Sequence, residues 1–300
     1  MSVVSSENND WTPPEYIRDA LLQAARVLAD ADDSAPRLSA EVLLGFVLGW
    51  DRARVLGSLP QPLSRQSWEQ FAAVVQRRAA GVPLQYITGT QEFYGLSFTV
   101  NPAVLIPRPE TELLVEKAVA LAREGGSHGV RFVDVGTGSG CVAVAFAHEV
   151  RHSHGYATDI SPAALAVARG NIVRHRTDRR VELVCCDLLG AFRSESTFDL
   201  VLCNLPYLAA ADAGGLQRIV VDHEPHLALF GGLSGTETYS GLFPQARAML
   251  RRGGSLLFEI DPPRLDELRE MLAAAGLVGA QILEDLRGMP RCIVARRNDG

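Results

Sequence analysis

Apolar residues recur at three-to-four spacing from about residue 11 to 81. "EYIRDALLQAARVLAD" (15–30), "RLSAEVLLGFVLGW" (37–50) and "SRQSWEQFAAVVQRRAAG" (64–81) all carry this pattern. That period predicts helices with one apolar face. Ala and Leu dominate and β-branched runs are scarce, which suits helix. Ser64 is placed to cap the third helix and Gly81 to stop it. A small helical bundle over 11–81 is the expectation.

The texture changes over 82–109. "QEFYGLSFTV" (91–100) offers two short β-prone runs around Gly95, a hairpin signal. Pro102, Pro107 and Pro109 then hold the backbone extended, and a helix is predicted to begin near Thr111. Glu110 and Glu112 favour the positive end of its dipole. Residues 82–109 thus read as a hairpin and a stiff connector leading to a third region, 110–300.

In that region short apolar runs alternate with helical ones. "RFVDVG", "GYATDI", "VELVCCD", "FDLVLCN" and "GSLLFEI" read as strands. "GCVAVAFAHEV", "SPAALAVARGNIVRH" and "TYSGLFPQARAMLRR" read as the helices between them. Strand-helix alternation implies right-handed βαβ units and a mostly parallel sheet covered on both faces. "PPRLDELREMLAAAG" continues as helix, and "VGAQILEDL" and "PRCIVARR" close the chain as a pair of strands around Gly288.

Composition narrows the classes. A hydrophobic fraction of 47% and a charged fraction of 21% are those of a globular chain. No apolar stretch is long enough to span a membrane. The opening "MSVVSSENNDWTPPE" lacks an apolar signal core and reads as a polar lead-in, so a cytoplasmic location is expected. A net charge of -6 argues against a broad nucleic-acid surface. The densest cationic run, "RHRTDRR" (174–180), reads as a helix C-terminus and a solvated loop. Cys141, Cys185, Cys186, Cys203 and Cys292 form no C-x-x-C pair and read as buried small apolar residues in a reducing compartment. His148, His152 and His154 lack the further ligands a metal would need, so none is expected.

Candidate chemistry gathers at strand ends. In "FVDVGTGSGCVAVAFA" (132–147) a strand runs into Gly136, Thr137, Gly138 and Gly140, and a helix follows at once. Such glycines let a ligand approach backbone amides at the helix start. The spacing is G-x-G-x-G with Asp134 upstream, not the dinucleotide G-x-G-x-x-G. Asp159, followed by Ile160, ends the next strand, where a carboxylate can take both hydroxyls of a ribose. Asp187 and Leu188 follow the third strand, and Asn204 ends the fourth. Four consecutive strands therefore deliver acids or an amide to one rim, the place where such sheets bind ligands.

The second half resembles the class I S-adenosylmethionine-dependent methyltransferases. Nearly the whole chain is similar to the HemK/PrmC family, the release-factor glutamine methyltransferases. The resemblance rests on "PLQYITGTQEFYGLSFTVNPAVLIPRPETELLVE", "DVGTGSGCVAVA", "NLPY", "EPHLALFGG" and "EDLRGMPRCIVA". It implies a Rossmann-like, mostly parallel seven-stranded sheet behind the helical bundle and hairpin, with S-adenosyl-L-methionine as donor. By resemblance, Gly136 to Gly140 would hold the donor's methionine end and Asp159 its ribose. Asp187 and Leu188 would border its adenine.

The family's acceptor motif is N-P-P-Y, and a planar side-chain amide is its substrate. Here Asn204, Leu205, Pro206 and Tyr207 stand in that place. The Asn204 carboxamide oxygen and the backbone carbonyl of Leu205 could each accept one N–H of an NH₂ group, with the Tyr207 ring packed on the flat acceptor. Leucine for proline at 205 keeps the carbonyl and loosens the backbone. The family's E-I-G-x-x-Q appears as "EIDPPR", with Asp261 and Arg264, and its G-G-x-D-G-L as "GGLSGTE", with Glu237. Two acceptors therefore stay open. One is the glutamine of a peptide chain release factor. The other is a small-molecule nitrogen such as the guanidine of free L-arginine, for which Glu237, Asp261 and Arg264 would supply charge partners. N-L-P-Y is also similar to the motif of ribosomal-RNA adenine dimethylases, but that likeness does not extend to the hairpin and proline strap.

Overall fold

The computed structural model describes residues 12–125, 129–193, 197–209, 211 and 218–297. Residues 1–11, most of the polar lead-in, lie outside the described residues, as do 298–300. The chain divides into two compact units, one ending at Thr88 and the other beginning at Gly89.

The first unit is helical: α1 (Ile17–Asp30), α2 (Pro36–Leu48), α3 (Arg52–Gly57), α4 (Arg65–Ala79) and α5 (Leu84–Thr88). Ser64 Oγ accepts the Ser67 backbone N–H at 3.1 Å and caps α4. The apolar faces bury Leu28, Leu43, Leu44, Trp68 and Phe71 together. Arg78 Nε donates to the buried Asp33 carboxylate at 2.6 Å, joining the end of α4 to the α1–α2 turn.

The second unit opens with a hairpin of β1 (Thr90–Phe93) and β2 (Leu96–Thr99). Its two turn residues, Tyr94 and Gly95, have φ of 53° and 70°. Positive φ at both central positions matches the twist of the flanking strands. A 3-10 turn at Pro109–Thr111 then leads into α6 (Glu112–Glu124).

Beyond it come β3 (Val130–Val135), α7 (Cys141–Glu149), β4 (Ser153–Asp159), α8 (Pro162–Arg174), β5 (Val181–Cys185) and β6 (Phe198–Cys203). The short α9 (Arg218–His223) and α10 (His226–Leu229) precede α11 (Glu237–Met249), β7 (Leu250–Glu259) and α12 (Leu265–Ala274). β8 (Leu277–Glu284) and β9 (Pro290–Arg297) close the chain. The described strands form one seven-stranded sheet in the order β5-β4-β3-β6-β7-β9-β8. All its pairings are parallel except those of β9, which runs antiparallel to β7 and β8.

The strand period of two divides each apolar run between two buried faces. Phe132, Leu202 and Leu257 pack on one side with Phe146 of α7. Val133, Val201 and Phe258 pack on the other with Tyr239 and Phe243 of α11. One boundary departs from the sequence reading. Arg251 and Arg252, expected at the end of a helix, lie in β7, because Leu250 already pairs with Phe198 across a bulge.

Candidate active site

β3 lies where the strand order turns, with β4 and β6 on either side. Its carboxyl end opens into a cavity of about 260 Å³ lined by the loop after β3, the ends of β4, β5 and β6, and the proline connector. Open α/β sheets hold ligands at this switch point.

The loop after β3 is tied down from two sides. Asp134, buried, accepts from Thr137 Oγ1 at 2.6 Å and from the Ala143 N–H at 3.2 Å. Burial pushes its carboxyl up to about 7, against the pull of those two hydrogen bonds. From β4, Asp159 Oδ2 accepts the Gly138 N–H at 2.9 Å and Oδ1 the Ser161 N–H at 2.9 Å. Each of its oxygens keeps a second lone pair for a ligand hydroxyl. Gly136 has φ of 70°, and a Cβ there would stand 2.8 Å from Leu205 Cδ2, so the loop passes close over the end of β6. Ile160 lines the cavity with its apolar side chain 52% exposed.

Leu188 also lines the cavity and takes a left-handed φ of 50°. That conformation costs a non-glycine residue roughly 1–2 kcal/mol. Its carbonyl accepts from Thr158 Oγ1 at 3.0 Å, which holds the segment after β5 against β4.

The opposite wall is the connector. Glu224, buried just before α10, accepts from the Ile106 N–H at 3.2 Å and from Arg108 Nη2 at 2.6 Å. These bonds hold Pro107 and Arg108 at the cavity, where Leu227 and Phe230 of the "EPHLALFGG" segment add apolar lining.

Asn204 sits at the rim between these walls. Its Nδ2 donates to Thr111 Oγ1 at 3.0 Å, and Thr111 Oγ1 in turn donates to Glu259 Oε2 at 2.6 Å. Cys203 of β6 pairs with Phe258 of β7, so Asn204 and Glu259 leave the sheet side by side. Thr111 reaches both from the 3-10 turn before α6. Burial raises the Glu259 carboxyl to about 7; the Thr111 hydroxyl opposes that shift and Glu110 adds to it. The Leu205 carbonyl lies 3.4 Å from Tyr239 Oη, whose shorter bond, 2.8 Å, goes to the Glu259 backbone carbonyl.

Asp134, Gly136, Thr137, Gly138, Asp159, Ile160, Asp187, Leu188, Asn204, Leu205 and Pro206 all line this cavity. The lining does not include the remaining residues expected from the sequence. Gly140, with φ of 81°, precedes α7, where a Cβ would press on Ala168 at 3.3 Å, so its place is helix packing. Tyr207 is partly buried against the core on the α11 side of the sheet, with its phenol raised by burial. Its backbone carbonyl accepts from Arg264 Nε at 3.1 Å, which turns that guanidinium onto the main chain. Glu237 accepts the Ser234 and Gly235 N–H groups at 2.8 and 3.0 Å at the start of α11, and is lowered to about 2 mainly by the Ser234 amide. Asp261 lies at the turn after β7, also outside the lining. The acceptor charges expected of Glu237, Asp261 and Arg264 are therefore not at the cavity wall.

Thr111 and Glu259, given no site role by the sequence, stand directly behind Asn204. In the sequence Thr111 reads as a helix start, and Glu259 as part of a strand. A single acid inside the apolar run "LLFEI" was the available signal, since an acid buried in a strand needs a partner.

A mostly parallel sheet of this order, with β9 antiparallel, a glycine loop after its central strand and an acid ending the neighbouring one, is the architecture of class I methyltransferases. The chain matches the PrmC N-terminal domain over residues 19–89 and a methyltransferase domain over 132–221. It is 42% identical over 284 residues to the release factor glutamine methyltransferase of Koribacter versatilis, covering 94% of this chain and 98% of that one. The enzyme of the same name from Moorella thermoacetica is 41% identical, over 94% of this chain and 99% of the relative. This chain belongs to the release factor glutamine methyltransferase family. Among solved structures, the hMettl16 catalytic domain in complex with a MAT2A 3'UTR hairpin shares the fold, with a TM-score of 0.54 and 18% identity over 75% of this chain and 82% of that one. No helix among the described residues is long and apolar enough to cross a membrane.

Proposed function

We propose that this protein transfers the methyl group of S-adenosyl-L-methionine to the side-chain amide nitrogen of a glutamine in a peptide chain release factor, in the cytoplasm. The observation that carries the reading is Asn204. Its carboxamide nitrogen is engaged by Thr111, which leaves Oδ1 as the free acceptor at the rim of a cavity shared with Asp159 and the glycine loop.

The residues present fit the donor. Asp159 keeps lone pairs for two ribose hydroxyls, Ile160 and Leu188 offer apolar surface to an adenine ring, and Gly136 and Gly138 leave room for the methionine end. The donor supplies a methyl on a positively charged sulfur.

The chain's own part is to hold a weak nucleophile in line. Asn204 Oδ1 and the Leu205 carbonyl each accept one N–H of the glutamine amide, fixing its nitrogen and orienting its lone pair along the cavity. Polarised N–H bonds raise electron density on nitrogen as the new N–C bond forms, so these contacts strengthen in the transition state. The C–S electron pair leaves with sulfur, and the amide sheds one proton to water.

The test is incubation of the purified protein with methyl-labelled donor and, separately, a release factor, the same factor with its acceptor glutamine replaced, and free L-arginine. Label in the intact factor alone is the expected result. Label in arginine and not in the factor contradicts the reading.

A further inference from the structure

We infer that Glu259 and Thr111 form a positioning relay that sets which end of the Asn204 carboxamide faces the acceptor. This rests on the glutamine methylation proposed above and goes on to explain why Asn204 presents oxygen and not nitrogen.

A carboxamide has two nearly isosteric ends, and only its hydrogen-bond network distinguishes them. Asn204 alone could turn either way. A neutral hydroxyl beside it would not decide the matter, because a threonine oxygen both donates and accepts. The decision comes one residue further in. An ionised Glu259 carboxylate can only accept, so it takes the Thr111 hydroxyl proton at 2.6 Å. The Thr111 oxygen is then left to accept, and Asn204 must offer it Nδ2 at 3.0 Å. Oδ1 consequently faces the cavity, where an incoming NH₂ group needs an acceptor. Were the chain reversed, Asn204 would present its own NH₂ to the substrate's NH₂, donor against donor.

The burial of the pair supports a directional role. Thr111 and Glu259 are 2% and 5% exposed, so the bond between them is shielded, while Asn204 is half-buried at the cavity. Glu259 does not line the cavity, so its influence on the acceptor passes through Thr111. It is a positioning residue, not a catalytic one.

The relay is also titratable. Around Glu259 stand Glu110 and Thr111 of the 3-10 turn, Arg108 of the connector, Arg291 and Cys292 of β9, Cys203 at the end of β6, Tyr207 in the segment beyond it, and Tyr239 of α11. Glu110 and burial favour the protonated carboxyl, while Arg108 and Arg291 oppose them. A protonated Glu259 can donate to Thr111, which frees the threonine proton for Asn204 Oδ1 and allows the flip. Activity should therefore fall as pH drops through the titration of this carboxyl.

The experiment compares Thr111→Val, Thr111→Ser and Glu259→Gln with the wild type, all on the release factor, with donor affinity measured alongside. Thr111→Val is expected to lower kcat about 10²-fold, the cost of a misplaced reacting group, with donor affinity unchanged. Thr111→Ser restores the hydroxyl and should recover most of that loss. Glu259→Gln keeps an acceptor oxygen but cannot ionise, so the acid limb of the wild-type pH profile should lose the Glu259 step and keep only what Asp134, also raised to about 7, contributes. Valine and serine variants of equal kcat, or an acid limb identical in Glu259→Gln and the wild type, would overturn the relay.

A readout without substrate separates this from the activity itself. The Asn204 side-chain NH₂ resonances, assigned by their loss in Asn204→Ala, should move further with pH in the wild type than in Glu259→Gln. A wild type that leaves the factor unmethylated would sink the proposed function, while resonances that ignore Glu259 would sink the relay.

Discussion

Asn204 donates to Thr111, 93 positions away in sequence, and Thr111 donates to Glu259, 148 positions away. The innermost member carries a measurable cost. Folding raises the Glu259 carboxyl from 4.5 to about 7, chiefly by burial. The unfolded chain thus loses this proton first as pH rises. The group's favourable contribution is complete below about 4.5 and is lost as pH rises through about 7. Glu259→Gln removes that dependence, whereas Asp134, also raised to about 7, titrates in both proteins and cancels in the comparison. The variant's Tm relative to wild type should therefore be higher at pH 8 than at pH 5. Equal differences at the two pH values would show that Glu259 does not titrate upward in the fold.

At the scale of elements, the site is a set of strand ends steadied by the segments behind them. The glycine pair after α10 shows how tightly this is built. A Cβ at Gly231 would stand 2.3 Å from the Pro206 carbonyl oxygen, a backbone atom that no rotamer change can move aside. Gly231→Ala should push the Asn204–Tyr207 segment from its place, at about 1–3 kcal/mol of stability, the usual cost of overpacking. Thermal unfolding and kcat report the two consequences, and a variant with wild-type values for both would show that the contact is not made.

The strands themselves were legible because their apolar runs end on Asp, Asn or Gly, and periodicity is a local property. The hairpin was legible for the same reason, through Gly95. Thr111 and Glu259 were not, because their roles exist only once β6 and β7 lie in register and the 3-10 turn crosses both. Glu237 and Arg264 show the opposite limit of the sequence. Their charges suggested an acceptor pocket, yet local backbone N–H groups and the Tyr207 carbonyl take them.

At the scale of the whole molecule, the alternation of strands and helices announced a doubly covered sheet, and the order β5-β4-β3-β6-β7-β9-β8 places its switch point beside β3. That single topological fact brings Asp159 and Asn204 to the same cavity from strands on either side of β3. On the proposed function, the donor side and the acceptor side come from different strands and can be separated by substitution. Asn204→Ala removes the acceptor oxygen and leaves Asp159 and the glycine loop intact. The account predicts affinity for the demethylated donor product within about threefold of wild type and a kcat on the release factor lower by about 10²–10³-fold, as for loss of one transition-state hydrogen bond. An Asn204→Ala protein that methylates the factor at the wild-type rate would contradict it.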